Sequence, residues 1–275
     1  MENKDLNLLI AELGKHLLAE LSILKGLCTL DLNERAQNTK IVIASACSTG
    51  TAIHELSRKP EYFYSETIML SRSFVEKMTN FCYLQICDES EYERFLLHPL
   101  YRAFHNAERS KVAGAHSIGL NFSGRAEMSK DPNIQRALVT FSDSNSKLNW
   151  SNSGIDKKVA LIAERSKLSV EFFLMNTLTL YSDASEALHG SLYGCALPTR
   201  AYIPGESHKD VSIVEKNLLK NIALLYVQMG SLIHETLRMF PDVEGVKELI
   251  DGSKKNHEYA IQVMKVIFPE DRKDS

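Results

Sequence analysis

The sequence predicts an all-α protein, a bundle of eight or nine helices. Apolar residues recur at three- and four-residue steps over most of the chain, and no segment alternates long enough to assert a sheet. Pro60, Pro241 and Gly190 also fall at the ends of periodic stretches and punctuate them.

Leu6 to Leu27 opens the chain as an amphipathic helix, with Leu9, Ile10, Leu13, Leu17, Leu18, Leu21 and Leu24 on one stripe. Asn33 to Ser57 reads as a second helix, closed by Pro60, and Glu61 to Cys87 as a long aromatic-rich third. Asp88, Glu89 and Glu91 suit a helix N-terminus, so a fourth helix is expected from Glu89 to about Arg109. From Gly114 to Lys130 the periodicity is lost among Gly114, Gly119 and Gly124, which predicts a mobile loop. Asp131-Pro132 reads as an N-cap followed by proline at the first helical position, starting a short helix to about Phe141. Ser142 to Ser153 is a Ser/Asn-rich connection carrying the single tryptophan, Trp150. Asp156 to Arg165 and Ser169 to His189 are helical again. Residues 1–194 therefore form the main bundle and 195–210 a loop, and 211–275 is a terminal helical pair packed on the bundle, with Asp271 to Ser275 a fraying tail.

The composition is that of an ordinary soluble globular chain, with 44% hydrophobic and 24% charged residues. A formal charge of −3 gives no global attraction to nucleic acid or anionic lipid, and only a local basic patch is left for such a role. No run approaches the roughly 20 apolar residues that a membrane span needs. The five cysteines never form a Cys-x-x-Cys pair and suit reduced thiols, so a cytoplasmic location is expected.

Two polar ladders stand out, Arg72–Glu76–Asn80 and Tyr181–Ser185–His189, each with a step of four that places its members along one side of a helix. On the first helix the plainer alternative is a solvated polar face, although Met69 and Tyr83 also line it. On the second, Ser185 and His189 share an arc with Leu174, Leu178 and Leu188, which predicts a buried face. A buried histidine there is either a satisfied structural group or, paired with Glu76 or Glu186, a proton-transfer group. Arg72, Glu76, Ser185 and His189 are therefore the candidate catalytic set.

Glu186-Ala-Leu-His189 has the Glu-x-x-His spacing of di-iron bundles, but no second copy occurs, so no metal and no cofactor is expected. Phosphate-binding glycine motifs are missing too. Arg109 and His116, separated by six residues among the basic residues of mid-chain, form a second candidate pair. Their spacing is similar to the Arg-x(4–6)-His signature of HEPN helical ribonucleases, which implies a metal-independent action on RNA.

Leu70-Ser-Arg-Ser-Phe-Val-Glu-Lys-Met-Thr-Asn-Phe-Cys-Tyr83, Glu93-Arg94-Phe95 and the Tyr-x3-Ser-x3-His run Tyr181–His189 together resemble an uncharacterised bacterial family, domain of unknown function 5677, over roughly Ile41 to Gly194. The resemblance implies an all-helical fold in which the two ladders face each other, and a setting in defence or stress. Two functions follow as expectations. One is an interaction or assembly component that binds a protein partner, or a second copy, through the terminal helices. The other is a HEPN-like ribonuclease or toxin using Arg72, Glu76 and His189.

Overall fold

A computed structural model of the chain describes residues 3–122, 124–142, 149–196 and 211–269. Helix α1 is Asn3–Leu27, α2 Glu34–Ser57, α3 Pro60–Ile86 and α4 Glu89–Asn106; β1 is Glu108–Ala113 and β2 His116–Asn121. Then come α5 Arg125–Met128, α6 Pro132–Thr140, α7 Ile155–Arg165 and α8 Glu171–Asn176. A π-helical turn, Thr177–Tyr181, joins α8 to α9, Ser182–Leu188, and is followed by α10 Leu192–Ala196, α11 Val211–Leu237 and α12 Val246–Ile267. Nine of the helices have seven or more residues, and the protein is predominantly α-helical, as the periodicity predicts.

Local chemistry fixes the helix starts. Asn33 accepts a hydrogen bond from the Ala36 amide at 2.9 Å, and Asp131 accepts one from Asn133 at 2.7 Å, so amides left over by the first turn are satisfied.

The chain divides into two compact units, residues 1–86 with 158–275, and residues 87–157. In the larger unit α3 packs on α2, on α11 and on the α8–α9 segment, while α1 packs on α2, α11 and α12. Leu6, Ile10, Leu13, Leu17, Leu21 and Leu24 are all buried, which is the stripe that three- and four-residue steps require. The terminal pair α11–α12 thus belongs to the same unit as α1–α3. Of the expected loop 195–210, residues 197–210 lie outside the described residues, as does the expected tail 271–275.

The smaller unit is built on Leu97 and Tyr101 of α4 against Ala137 of α6 and Phe141. Arg94 lies 4.5 Å from the Phe141 ring centre and donates to the carbonyls of Thr140 and Trp150, both at 3.1 Å. Here the sequence expectation needs correction. Helix α4 ends at Asn106, before Arg109, and the start of the stretch expected to be a loop, 114–121, is the turn and second strand of an antiparallel hairpin with Arg109 opposite Leu120 and Lys111 opposite Ile118. Gly114 adopts φ +59°, which a tight two-residue hairpin turn demands. Ser117 to Phe122 does alternate, with Ile118, Leu120 and Phe122 against Ser117, Gly119 and Asn121, but the run is short and broken by glycine, and β1, exposed on both faces, shows no apolar period.

Between α1, α11 and α12 lies a buried polar cluster. Glu20 is fully buried; its carboxyl accepts from Ser253 Oγ at 2.7 Å and from Asn256 Nδ2 at 2.8 Å. His234 Nδ1 is 3.1 Å from the same serine oxygen. Burial pushes the Glu20 pKa up to about 7, despite the Ser253 and Asn256 bonds, and pushes His16, His234 and His257 below their ordinary range.

Because the folded Glu20 pKa lies above its unfolded value, the stability it contributes is complete below about pH 4.5 and lost as pH rises to about 7. The three histidines work in the opposite sense, losing stability as pH falls below their unfolded range. Glu20→Gln isolates the first effect. Relative to wild type, this variant is expected to be about 3 kcal/mol more stable at pH 8 than at pH 4.5, measured by denaturant unfolding at both pH values. A difference independent of pH would contradict the assignment.

Candidate functional site

Arg72 sits mid-way along α3, where Phe74, Val75 and Met78 are buried and hold the backbone in place. Its side chain is 21% exposed and has two partners. Nε donates to Glu76 Oε1 at 3.1 Å, one turn along the same helix. Nη2 donates to the Tyr181 hydroxyl at 2.9 Å, while the guanidinium carbon lies 4.1 Å from the centre of the Tyr181 ring. A guanidinium that meets a tyrosine through both hydroxyl and ring is geometrically over-determined, which fixes the angle between the two helices. The remaining nitrogen, Nη1, is shielded from solvent and has no hydrogen-bond partner among the described residues. Burial first, and then the neighbouring Glu76 carboxylate, push the Tyr181 pKa up.

Tyr181 reaches this position because it closes the π turn. A π turn inserts one residue into the helical repeat and rotates everything beyond it. The buried stripe of the segment is Phe173, Asn176, Leu180 and Ala184, in steps of three and four. This overturns the face expected from the sequence, since it is the other side of the helix that is buried. Leu174, Leu178 and Leu188 are exposed, and so is His189. Ser185 is half-buried.

The direction of α9 decides which ladder members meet. Tyr64 pairs with Asn221 and Cys82 with Thr236, so α3 and α11 run parallel. Ser169 bonds Glu235 and Thr179 bonds Gln228, so the α8–α9 segment runs against α11 and therefore against α3. From the Arg72–Tyr181 contact, Glu76 lies one turn toward the C-terminal end of α3, while His189 lies two turns the other way. At 1.5 Å per residue the two are separated by roughly 18 Å along the helix axes. The structure thus joins Arg72, Glu76 and Tyr181 and leaves Ser185 and His189 further along. Among the described residues no hydrogen bond links Glu76 to His189. His189 ends α9 with its amide bonded to the Ser185 carbonyl at 3.1 Å, and Gly190 follows at φ +64°.

The last rungs of the α3 ladder have another partner. Lys158 of α7, itself buried, donates to Asn80 Oδ1 at 2.7 Å and approaches the Tyr83 ring at 5.6 Å. The sequence reading missed Lys158, although it lies one turn before Ile162 on the buried stripe of a short helix. It also missed His16 and Glu20, whose signal was a polar pair at a four-residue step inside the leucine stripe of α1.

The second candidate pair, Arg109 and His116, lies on β1 and β2 and not on a helix. Arg109 is paired with Leu120 and His116 with Ala113, so the two share one exposed face but stand at opposite ends of the hairpin. The HEPN signature belongs on a helix, and this placement departs from it. Among the described residues no group of three or more His, Cys, Asp or Glu is arranged to hold a metal ion. No helix among them is long and apolar enough to cross a membrane.

The family model described as Family of unknown function (DUF5677) matches residues 41–196, more than half of the chain, and the chain belongs to that family. The matched span begins inside α2, contains both ladders and ends at the last residue of α10; α1, α11 and α12 fall outside it. No curated protein and no solved structure gives a significant match.

A double-mutant cycle on Arg72→Ala and Tyr181→Phe is expected to give a coupling energy of about 1 kcal/mol, because Tyr181→Phe removes the hydroxyl and keeps the ring. The cycle on Glu76→Ala and His189→Ala is expected to be additive within about 0.5 kcal/mol. Additivity in the first cycle, or strong coupling in the second, would contradict the geometry.

Proposed function

We propose that this member of the DUF5677 family acts as an interaction and assembly component, in the bacterial defence or stress setting that its resemblance implies. The observation that carries this reading is the closure of the polar network. Arg72 already spends two of its nitrogens on Glu76 and Tyr181, and the third is shielded from solvent. An incoming phosphate would have to reach a guanidinium edge that is shielded from solvent, beside the Glu76 carboxylate that repels it. His189, the group best suited to proton transfer, lies at the other end of the contact.

The outward side of α8–α9 fits the same reading. Leu174, Leu178 and Leu188 are 51%, 78% and 59% exposed, and Met175 is exposed beside them. Apolar side chains at helical spacing on one surface suit a partner helix laid along them. Tyr259, Ile261 and Val266 of α12 supply a second, sparser set on the terminal pair. In this reading the Arg72–Tyr181 clamp is a positioning device that holds the α8–α9 face at a fixed angle for recognition.

The alternative, a metal-independent ribonuclease or toxin, has one observation in its favour: the unpartnered Arg72 Nη1, which is a donor not yet spent. Activity assays separate the two. Purified wild-type protein is expected to leave single- and double-stranded RNA and DNA uncut, and His189→Ala is expected to shift stability by less than about 0.5 kcal/mol, as for an exposed side chain. In cell extract, wild-type protein should sediment above the purified protein at the same concentration, and a Leu178→Asp, Leu188→Asp variant should lose that excess while unfolding at the same denaturant concentration. RNA cleavage that His189→Ala abolishes, a loss of about 10²–10⁴-fold for an acid–base group, would overturn the proposal.

A further inference from the structure

The β1–β2 hairpin leaves both of its long edges open, and the two edges differ in chemistry. Strand β1 carries Glu108, Arg109 and Lys111, and charged side chains, lysine above all, are what guards a free edge against pairing. Strand β2, His116-Ser-Ile-Gly-Leu-Asn121, has no Asp, Glu, Lys or Arg, no proline and no bulge against its neighbour. It nevertheless exposes Ile118 at 70% and Leu120 at 55%, with Phe122 following at 58%. An isolated two-stranded hairpin is marginal in water, and apolar groups so exposed add nothing to its stability.

Its hydrogen-bond register shows which groups the edge offers. The Phe122 amide donates to the Ala107 carbonyl at 2.7 Å, so residues 107 and 122 form a hydrogen-bonded pair. Antiparallel pairs alternate, so Arg109–Leu120, Lys111–Ile118 and Ala113–His116 are hydrogen-bonded pairs as well. The amides and carbonyls of Ser117, Gly119 and Asn121 therefore point away from β1, and among the described residues no hydrogen bond reaches them.

We propose that β2 pairs antiparallel with β2 of a second copy of this chain, giving a four-stranded sheet in the order β1, β2, partner β2, partner β1, with Gly119 on the two-fold axis. In this register Gly119 faces its own copy and Ser117 faces Asn121 of the partner subunit, so all three outward residues enter hydrogen-bonded pairs. Ile118 then stands opposite Leu120 of the partner subunit, and His116 opposite Phe122 of the partner subunit, each twice by symmetry. Both are non-hydrogen-bonded pairs, in which side chains come closest. Charge supports a second copy as the occupant: the seam contains no acidic or basic residue beyond His116, while Arg109 and Lys111 of each copy are displaced to the outer strands, away from each other. The proposal rests on strand geometry and is independent of the α8–α9 surface.

Sedimentation equilibrium of the purified full-length protein tests it, with two variants. Wild type is expected to rise from one chain to two over the micromolar range. Ile118→Glu places a carboxylate beside Lys111 of its own hairpin, so the strand is kept, but buries that charge against Leu120 of the partner subunit. Dimerisation should weaken by more than about tenfold. Adding Leu120→Lys sets Lys against Glu across the seam twice and should restore the dimer. Circular dichroism and the unfolding midpoint confirm that the variants are folded. A wild-type protein that stays a single chain at about 100 µM, or a dimer indifferent to Ile118→Glu, would overturn the proposal. Failure of the double variant to recover would overturn the register. None of these results bears on whether the protein cleaves RNA.

Discussion

The Arg72 guanidinium lies on the Tyr181 ring and bonds its hydroxyl, and this contact sets the placement of everything from α8 to α10 on α3. The helix that begins at Glu171 takes a π turn that closes at Tyr181. A π turn widens the helix locally and changes the angle at which its last residue projects. The turn is held from both sides. Asn176 Nδ2, fully buried, donates to the carbonyls of Phe172 at 2.7 Å and Gln228 at 3.5 Å, and the Thr179 hydroxyl bonds Gln228 Oε1. Thus α11 anchors the start of the turn and α3 anchors its end.

Helix α3 carries this arrangement because its two sides have different partners. Phe74, Met78, Phe81 and Cys82 are sealed in the core of the larger unit. Its polar stripe is only partly solvated; it is divided between Tyr181 and Lys158, each bonding a different rung. Partly buried charges of this kind contribute little net stability when paired, but removing a partner leaves a desolvated donor, which costs more than the pair contributes. Such networks specify one packing angle over its neighbours.

Much of this was legible in the sequence, for identifiable reasons. The leucine steps of α1, the Asn33 and Asp131 caps and the ladder at Arg72, Glu76 and Asn80 are local features, and local features survive folding. Apolar residues lie on both sides of the α8–α9 segment, so the sequence alone does not say which side packs on α3 and α11: Phe173, Leu180 and Ala184 are buried, whereas Leu174, Leu178, Leu188 and His189 are exposed. The antiparallel sense of α9 is a long-range property, and it separates His189 from Glu76 although both stand on four-residue ladders. The hairpin is hard to read because its one alternating run, Ser117 to Phe122, is short and broken by Gly119, while β1 carries no apolar period.

Hydrogen–deuterium exchange of Arg72→Ala against wild type tests the central claim most directly, since it reads each helix separately. Loss of the Tyr181 contact should raise exchange across 177–188 by more than about tenfold, corresponding to about 1.4 kcal/mol of local opening, while α1 and α12 keep their protection. Unchanged protection of 177–188 in the variant would mean that the Arg72–Tyr181 contact does not position this segment, and the account would fail.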